Sequence, residues 1–384
     1  MRGAARGSHL SSHLSSHRPT GMGARWTHAH GLDHLTGADP RGAPACTILD
    51  TDIGSFIDDT FALGFLLHLP AMALKLVVTA SHDTVGRARV AAKHLTLAGA
   101  DHIPIGVGIQ TSDETGALFG WASDFDLKSY RGGVWIDGVA KMVETIEACE
   151  GEVALVDIGP HTNVRALLSR FPALAPRVRV YAMGGSVVPG IRLPRGAETP
   201  VPTTNERTDV PAARAMVGAR SWASRTTWAP VATGHQVVID GGRWQTVLRH
   251  AATDPAVKVL AECYQYWWAE SRRNAMWITH DEAMGLDPKL RSAILWDAEA
   301  AWLAAAPTLG GKPALTLTRL PSVNFTDAGY TTLTPPGAQA YFALAFTEGG
   351  RDELLGRLTD VLVNGSAVCR GAGGDGRACE AAVS

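Results

Sequence analysis

CTILDTDIGSFIDDTFAL, residues 46–63, is the stretch whose reading decides the fold. Its first six residues, apart from Asp50, are apolar or β-branched and read as a buried strand. From Asp59 to Leu69 the apolar residues take up a helical period. Between them Asp50, Asp52, Asp58 and Asp59 fall within ten residues at a strand-to-helix junction. So much negative charge repels itself unless a cation offsets it. Helix capping accounts for one carboxylate or two. All-oxygen ligation suits a hard ion such as calcium or magnesium, and calcium accepts the irregular geometry of ligands drawn from separate loops.

Outward from this junction, short β-rich runs alternate with helical segments, the pattern of an α/β fold with a mostly parallel central sheet flanked by helices. LKLVVTA (74–80), IPIGVGI (103–109), VALVDIG (153–159) and RVRVYAM (177–183) read as further strands, and 84–97, 138–148 and 163–171 as helices. In such sheets ligands sit beyond the carboxyl ends of the strands. Asp52, Asp83, the Thr162 and Asn163 pair and the MGGS turn at Met183–Ser186 all fall there.

Residues 45–364 carry no Pro/Gly linker that would divide them and read as a single domain. Residues 1–44, rich in Gly, Ser, His and Arg, are expected to be a disordered extension, and 365–384 a flexible tail. With 384 residues, 46% of them hydrophobic, the chain can bury a large core, and a formal net charge of -2 argues against a nucleic-acid partner. The five cysteines are odd in number and widely spaced, with no CxxC pair, so reduced thiols in a cytoplasmic protein are expected. No apolar run is long enough for a membrane helix, and the start of the chain lacks a secretory h-region.

Six segments, in order, resemble the nucleoside hydrolases, the inosine-uridine-preferring N-ribohydrolases. They are ILDTDIGSFIDDTFAL, TASHDTVGRARVAAKHLTLAG, DIGPHTNVRALL, YAMGGSV, NERTDVPAAR and RSAILWDAEAAWLAAAP. The resemblance implies one calcium ion, held by aspartates and a main-chain carbonyl, whose shell the ribose hydroxyls complete. Carried over residue by residue, it makes Asp52 a calcium ligand and the general base on the attacking water. Asp59 and Asp297 become further calcium ligands, Thr162 a ligand through its carbonyl, and Asp58, Asp83 and Asn205 contacts to ribose. The implied reaction is hydrolysis of the N-glycosidic bond of a purine or pyrimidine ribonucleoside, and a homodimer or homotetramer is the expected assembly. The residue types suit that chemistry, since carboxylates favour an oxocarbenium-like state and a carboxylate base can take a proton from water.

Three positions depart from the family pattern. Phe56 stands where many members with this spacing carry Asp. Thr203 stands where a Glu contacting the sugar's 5′ end is usual, with Glu198 and Glu206 as nearby substitutes. Trp296 stands where a His commonly assists the departing base, and a Trp there either stacks on the base or is a core aromatic. His82 and His280 are the alternative proton donors, and His161, at a position where the family has Leu, reads as a local substitution. Two competing functions follow: a relative that binds ribosides without cleaving them, and a phosphohydrolase of the haloacid dehalogenase type built on the DxD. Gly54 weakens the second, since that type carries Thr or Val at this place.

Overall fold

A computed structural model describes residues 33–36, 42–187, 202–273, 286–333 and 337–365. The strands are β1 (Asp33–Thr36), β2 (Cys46–Thr51), β3 (Leu74–Thr79), β4 (Ile105–Val107), β5 (Val134–Trp135), β6 (Val153–Asp157), β7 (Val178–Met183), β8 (Thr226–Ala229), β9 (Leu315–Phe325), β10 (Thr331–Thr332) and β11 (Ala338–Phe346). The helices used below are α1 (Asp58–Leu67), α2 (Thr84–Leu97), α3 (Gly138–Ala148), α4 (Thr162–Arg170), α5 (Thr204–Thr208), α6 (Val210–Gly218), α7 (Gly241–His250), α8 (Pro255–Arg273), α9 (Trp296–Leu309) and α10 (Gly350–Asn364).

The sheet runs β1-β9-β11-β8-β7-β6-β2-β3-β4-β5, with β10 paired to β9. From β11 through β5 every pairing is parallel, and the antiparallel pairs all involve β9. This is the mostly parallel sheet expected. Every residue of β2, β6 and β7 is buried, as strands covered on both faces must be. Side chains alternate between two cores. Leu49, Val77, Ala154 and Val156 face α1, α2, α8, α9 and α10, while Ile48, Leu76, Val78 and Leu155 face α3, α4 and α6. Helix α1 is buried along nearly its whole length, which explains why its sequence is apolar all round rather than striped.

The chain leaves β2 toward β3, β4 and β5 on one side and returns as β6, β7 and β8 on the other. The order therefore reverses between β2 and β6, and a crevice opens at their carboxyl ends. The two loops touch there: a Cβ added to Gly159 would lie 3.2 Å from the Asp52 nitrogen.

Two expectations meet a different structure. Asp33–Thr36, inside the stretch expected to be a disordered extension, pair antiparallel with β9, whose outer edge offers unpaired backbone groups. The expectation of reduced cysteines is corrected by a Cys46–Cys149 disulfide, while Cys263 is free and buried. Cys46 opens β2 and Cys149 follows α3, and packing brings their Cα atoms to 6.3 Å across a separation of 103 residues. This removes the cysteine argument for a reducing compartment. Among the described residues no helix is long and apolar enough to cross a membrane.

Closing a loop of 103 residues restricts the unfolded chain strongly. The paired substitution Cys46→Ala and Cys149→Ala should lower unfolding stability by about 4–5 kcal/mol on the chain-entropy model. Denaturant titration with and without reductant measures it: native protein plus reductant should match the double variant.

Candidate active site

Two helix N-termini converge on the crevice. Asp58 and Asp59 open α1, and Asp297 is the second residue of α9. Ligand atoms of these three side chains lie within 4.8 Å of one another, and all three residues are buried. Helix dipoles favour negative charge at this point, but burial and mutual repulsion oppose it. Burial, then Asp52 and Asp58, push the Asp59 carboxyl well above the ordinary range, although the Thr51 hydroxyl donates to it at 2.5 Å. Burial, then Asp58, Asp59 and Asp52, do the same to Asp297, which shares a hydrogen bond with Asp58. The donor set is all oxygen and acidic, so it fits a hard divalent cation.

Asp52 stands beside this trio, outside the group of closest oxygens but within electrostatic reach of Asp59 and Asp297. Its loop is held from several directions. Gly54 takes φ 113°, a conformation that favours glycine, and its carbonyl accepts from Leu118 N at 2.9 Å. The Trp267 indole donates to Ser55 O at 2.9 Å. The main brace is Arg87, a buried guanidinium on α2. It donates to Ser81 O at 2.9 Å, Ile53 O at 3.1 Å, Ser55 Oγ at 3.0 Å and the Asp52 carbonyl, and lies 3.9 Å from Asp52 Oδ2. Burial raises the Asp52 carboxyl above its ordinary range, with Arg87 the largest of the effects that counteract it. Sequence reading passed over Arg87 as the brace of this loop. Its signal was an arginine among the small residues Ala88, Val90 and Ala91 of a buried helix face.

The remaining residues separate into those that face the crevice and those that build it. Asp83 caps α2, accepting from Gly86 N at 2.8 Å, so one of its oxygens is committed to the helix. Asn163 ties β2, β3 and the loop after β4 together through Asp50 Oδ1 (2.9 Å), Thr79 O (3.0 Å) and Ile109 N (2.9 Å). Asp50 thus belongs to the framework. Thr162 opens α4, and its hydroxyl donates to Pro160 O and Asp209 Oδ2. Asn205 Nδ2 donates to Ile158 O at 2.9 Å and Met183 O at 3.2 Å. The buried Thr203 hydroxyl has no partner among the described residues. Neither has the Trp296 indole N–H, although the ring packs on the core and against Gly234, where an added Cβ would sit 2.7 Å from Cδ1. Phe56 packs on the same core.

His161, read as a local substitution, has partners from beyond its own turn. Its ring is fully buried, 2.7 Å from Asp157 and 3.6 Å from Glu206. Burial pulls its pKa down, but Asp157 and Glu206 outweigh it and raise it to about 10. This contact commits Glu206 to the interior, which corrects the expectation that it could serve the sugar's 5′ end. His82 lies half-buried near Asp52, its Nδ1 2.8 Å from Ser112 Oγ. His280 and Glu198 lie outside the described residues.

Two outcomes test this geometry. Raised folded-state pKa values at Asp59 and Asp297 mean that the folded chain without a cation binds more protons than the unfolded one. Its stability should therefore fall as pH rises from the ordinary aspartate range toward neutrality, and a divalent cation should stabilise it more as pH rises; melting curves with and without chelator measure both. Arg87→Met should cost on the order of 3 kcal/mol in unfolding stability. Arg87→Lys should recover little of it, because an ammonium cannot reproduce the planar fork.

The family described as inosine-uridine preferring nucleoside hydrolase matches residues 47–310. No curated protein sequence matches the chain. Among solved structures, a plant nucleoside hydrolase, PpNRh1, superposes with a TM-score of 0.62 at 20% identity, over 83% of this chain and 99% of its own. The purine-preferring ribonucleoside hydrolase from Gardnerella vaginalis gives a TM-score of 0.59 at 21% identity, over 83% and 99%. The type III effector protein XopQ, complexed with adenosine diphosphate ribose, gives 0.53 at 16% identity, over 89% and 98%. Likeness at these identities establishes the fold, and the family match goes further: the chain belongs to the inosine-uridine preferring nucleoside hydrolases and is a hydrolase acting on nucleosides.

Proposed function

We propose that the chain cleaves the N-glycosidic bond of ribonucleosides with calcium as its cofactor, releasing base and ribose. The observation that carries this reading is the convergence of Asp58, Asp59 and Asp297 within 4.8 Å in a buried crevice, with Asp52 alongside. Asp52, Asp59, Asp297 and the Thr162 carbonyl would hold the ion, and Asp58, Asp83, Asn205 and Thr203 would meet the ribose. When bound, calcium supplies a hard centre for oxygen ligands and offsets the charge of the cluster. Asp52 takes the proton of the attacking water, helped by Arg87, which fixes the backbone around it. The carboxylates stabilise the positive charge that grows on the ribosyl ring as the bond breaks.

The leaving side sets the substrate range. An indole cannot deliver a proton to a departing base, so Trp296 favours leaving groups that depart without protonation, with the ring as an apolar platform. Turnover of p-nitrophenyl riboside should therefore exceed that of inosine or uridine. It should disappear with chelator, return with calcium, and fall about 10²–10⁴-fold in kcat in Asp52→Asn. Riboside-induced thermal stabilisation without any product from the native chain would instead identify a binding protein, and absence of both would reject the riboside reading.

A further inference from the structure

Three contacts fasten the segment 205–209 to the turn 157–162. Asn205 Nδ2 donates to Ile158 O at 2.9 Å. Glu206 Oε1 lies 3.6 Å from His161 Nε2, while His161 Nδ1 is 2.7 Å from Asp157 Oδ2. Thr162 Oγ1 donates to Asp209 Oδ2 at 2.8 Å, and Asp209 in turn caps α6. The middle fastening is the unusual one. His161, Glu206 and Asp157 are all fully buried, and among the described residues neither Glu206 oxygen has a hydrogen bond. Among the described residues the His161 ring is thus the one basic side chain within 4.0 Å of Glu206, and the contact ties the two segments together at depth.

The geometry around the ring leaves it one position. The edge of the ring meets Trp228, with centroids 5.3 Å apart. Glu206 lies directly against Gly184, where an added Cβ would overlap Oε1. His161 itself holds φ 23°, a backbone conformation that a non-glycine residue adopts rarely and that persists only when its surroundings impose it. It is the residue immediately before Thr162, whose carbonyl is a proposed calcium ligand, while Glu206 immediately follows Asn205, a proposed ribose contact. One buried pair thus joins the turn on the metal side to the segment on the sugar side.

We propose that His161 and Glu206 are positioning residues, a buried clasp that holds the Thr162 turn and Asn205 in one arrangement and so strengthens the dependence between calcium and riboside binding that ribose hydroxyls in the calcium shell already create. This rests on the calcium-dependent riboside reading above. Coupling of this kind is reciprocal: whatever tightens one site tightens the other by the same factor. Loss of the clasp lets the Thr162 carbonyl and the Asn205 amide settle independently, with the Asp trio intact. Partners that orient a metal's direct ligands typically matter by about 10–100-fold in affinity.

The test uses the full chain in four forms: native, Glu206→Gln, His161→Gln and the double variant. Calcium affinity is measured calorimetrically with calcium chloride, alone and with saturating ribose, and p-nitrophenyl riboside gives kcat and KM. Each single variant should weaken calcium binding about tenfold. Each should also shrink the gain from ribose and raise KM more than it lowers kcat, and the double variant should be no worse than the weaker single. A folded Glu206→Gln protein with native calcium affinity and native coupling to ribose would overturn the clasp, as would single effects that multiply in the double variant. Where His161→Gln does not fold, Thr162→Val replaces it, removing the Asp209 fastening and keeping the carbonyl. A native chain that neither binds calcium nor cleaves the riboside rejects the functional reading by itself. Hydrogen exchange then decides the clasp separately: faster exchange across 162–165 in Glu206→Gln supports it, and unchanged exchange overturns it.

Discussion

Carboxylates held together out of water are the constraint around which the rest of this molecule is arranged. Asp58, Asp59 and Asp297 share a buried crevice with Asp52 at its edge, and each raises the cost of ionising the next. A fold keeps such a group only if it supplies rigid walls and a compensating charge. The walls come from the sheet, whose strand order reverses between β2 and β6 and leaves a gap at their carboxyl ends. Part of the charge comes from the N-termini of α1 and α9 and from Arg87, whose fork grips the Asp52 loop from α2. The remainder could come from a metal ion, which the acidic cluster could hold. Because the same residues set both the fold's central helix and the site, changes there act on stability and chemistry together.

How legible this was depends on whether a feature is local. Strands β2, β3, β6 and β7 and helices α2 and α3 lie within two residues of where the pattern of apolar residues puts them, α2 and α3 end to end. Parallel strands buried on both faces announce themselves as continuous apolar runs, and α2 and α3 are each preceded by an Asp that caps them. Only three residues of the predicted 103–109 strand pair, because Gly108 is pressed against Thr79 O and Asn163 instead of extending the ladder. Asp59 and Asp297 were read as metal ligands and Asp58 as a ribose contact, and the three carboxylates meet. Their meeting across some 240 residues was legible only through the resemblance to a family, since nothing in spacing brings α9 to α1.

What escaped the sequence was pairing at a distance. Cys46 and Cys149 look like isolated thiols until α3 is packed beneath β2. Arg87 looks like one more helix arginine until its face proves buried. Glu206 looks like a polar residue at a useful position until His161 is found against it. In each case one member alone is unremarkable, and its partner lies far away along the chain. Such pairs are fixed by tertiary packing, which local pattern does not encode.

The uneven pattern of departures from the family has a physical reason as well. In the acidic cluster an added or lost charge matters most at Arg87, whose removal leaves the Asp52 loop without its brace, whereas Phe56, where the family often has Asp, packs on the core and relieves repulsion. The leaving-group side must mainly satisfy shape. Trp296 fits beside Asp297 because residue 234 is glycine, and a side chain there would overlap the indole. The exchange of a proton-carrying side chain for an indole therefore required room rather than a new charge. It could occur without disturbing Asp297 one residue away, which is held by Asp58 and the start of α9. His161 and Glu206 show the opposite case. A histidine buried where the family has an apolar residue needs polar partners: Asp157 supplies the nearer one from its own turn, and Glu206 a second from the segment that carries Asn205. A substitution that adds charge to the interior thus binds two loops to each other, whereas one that only adds volume leaves them independent.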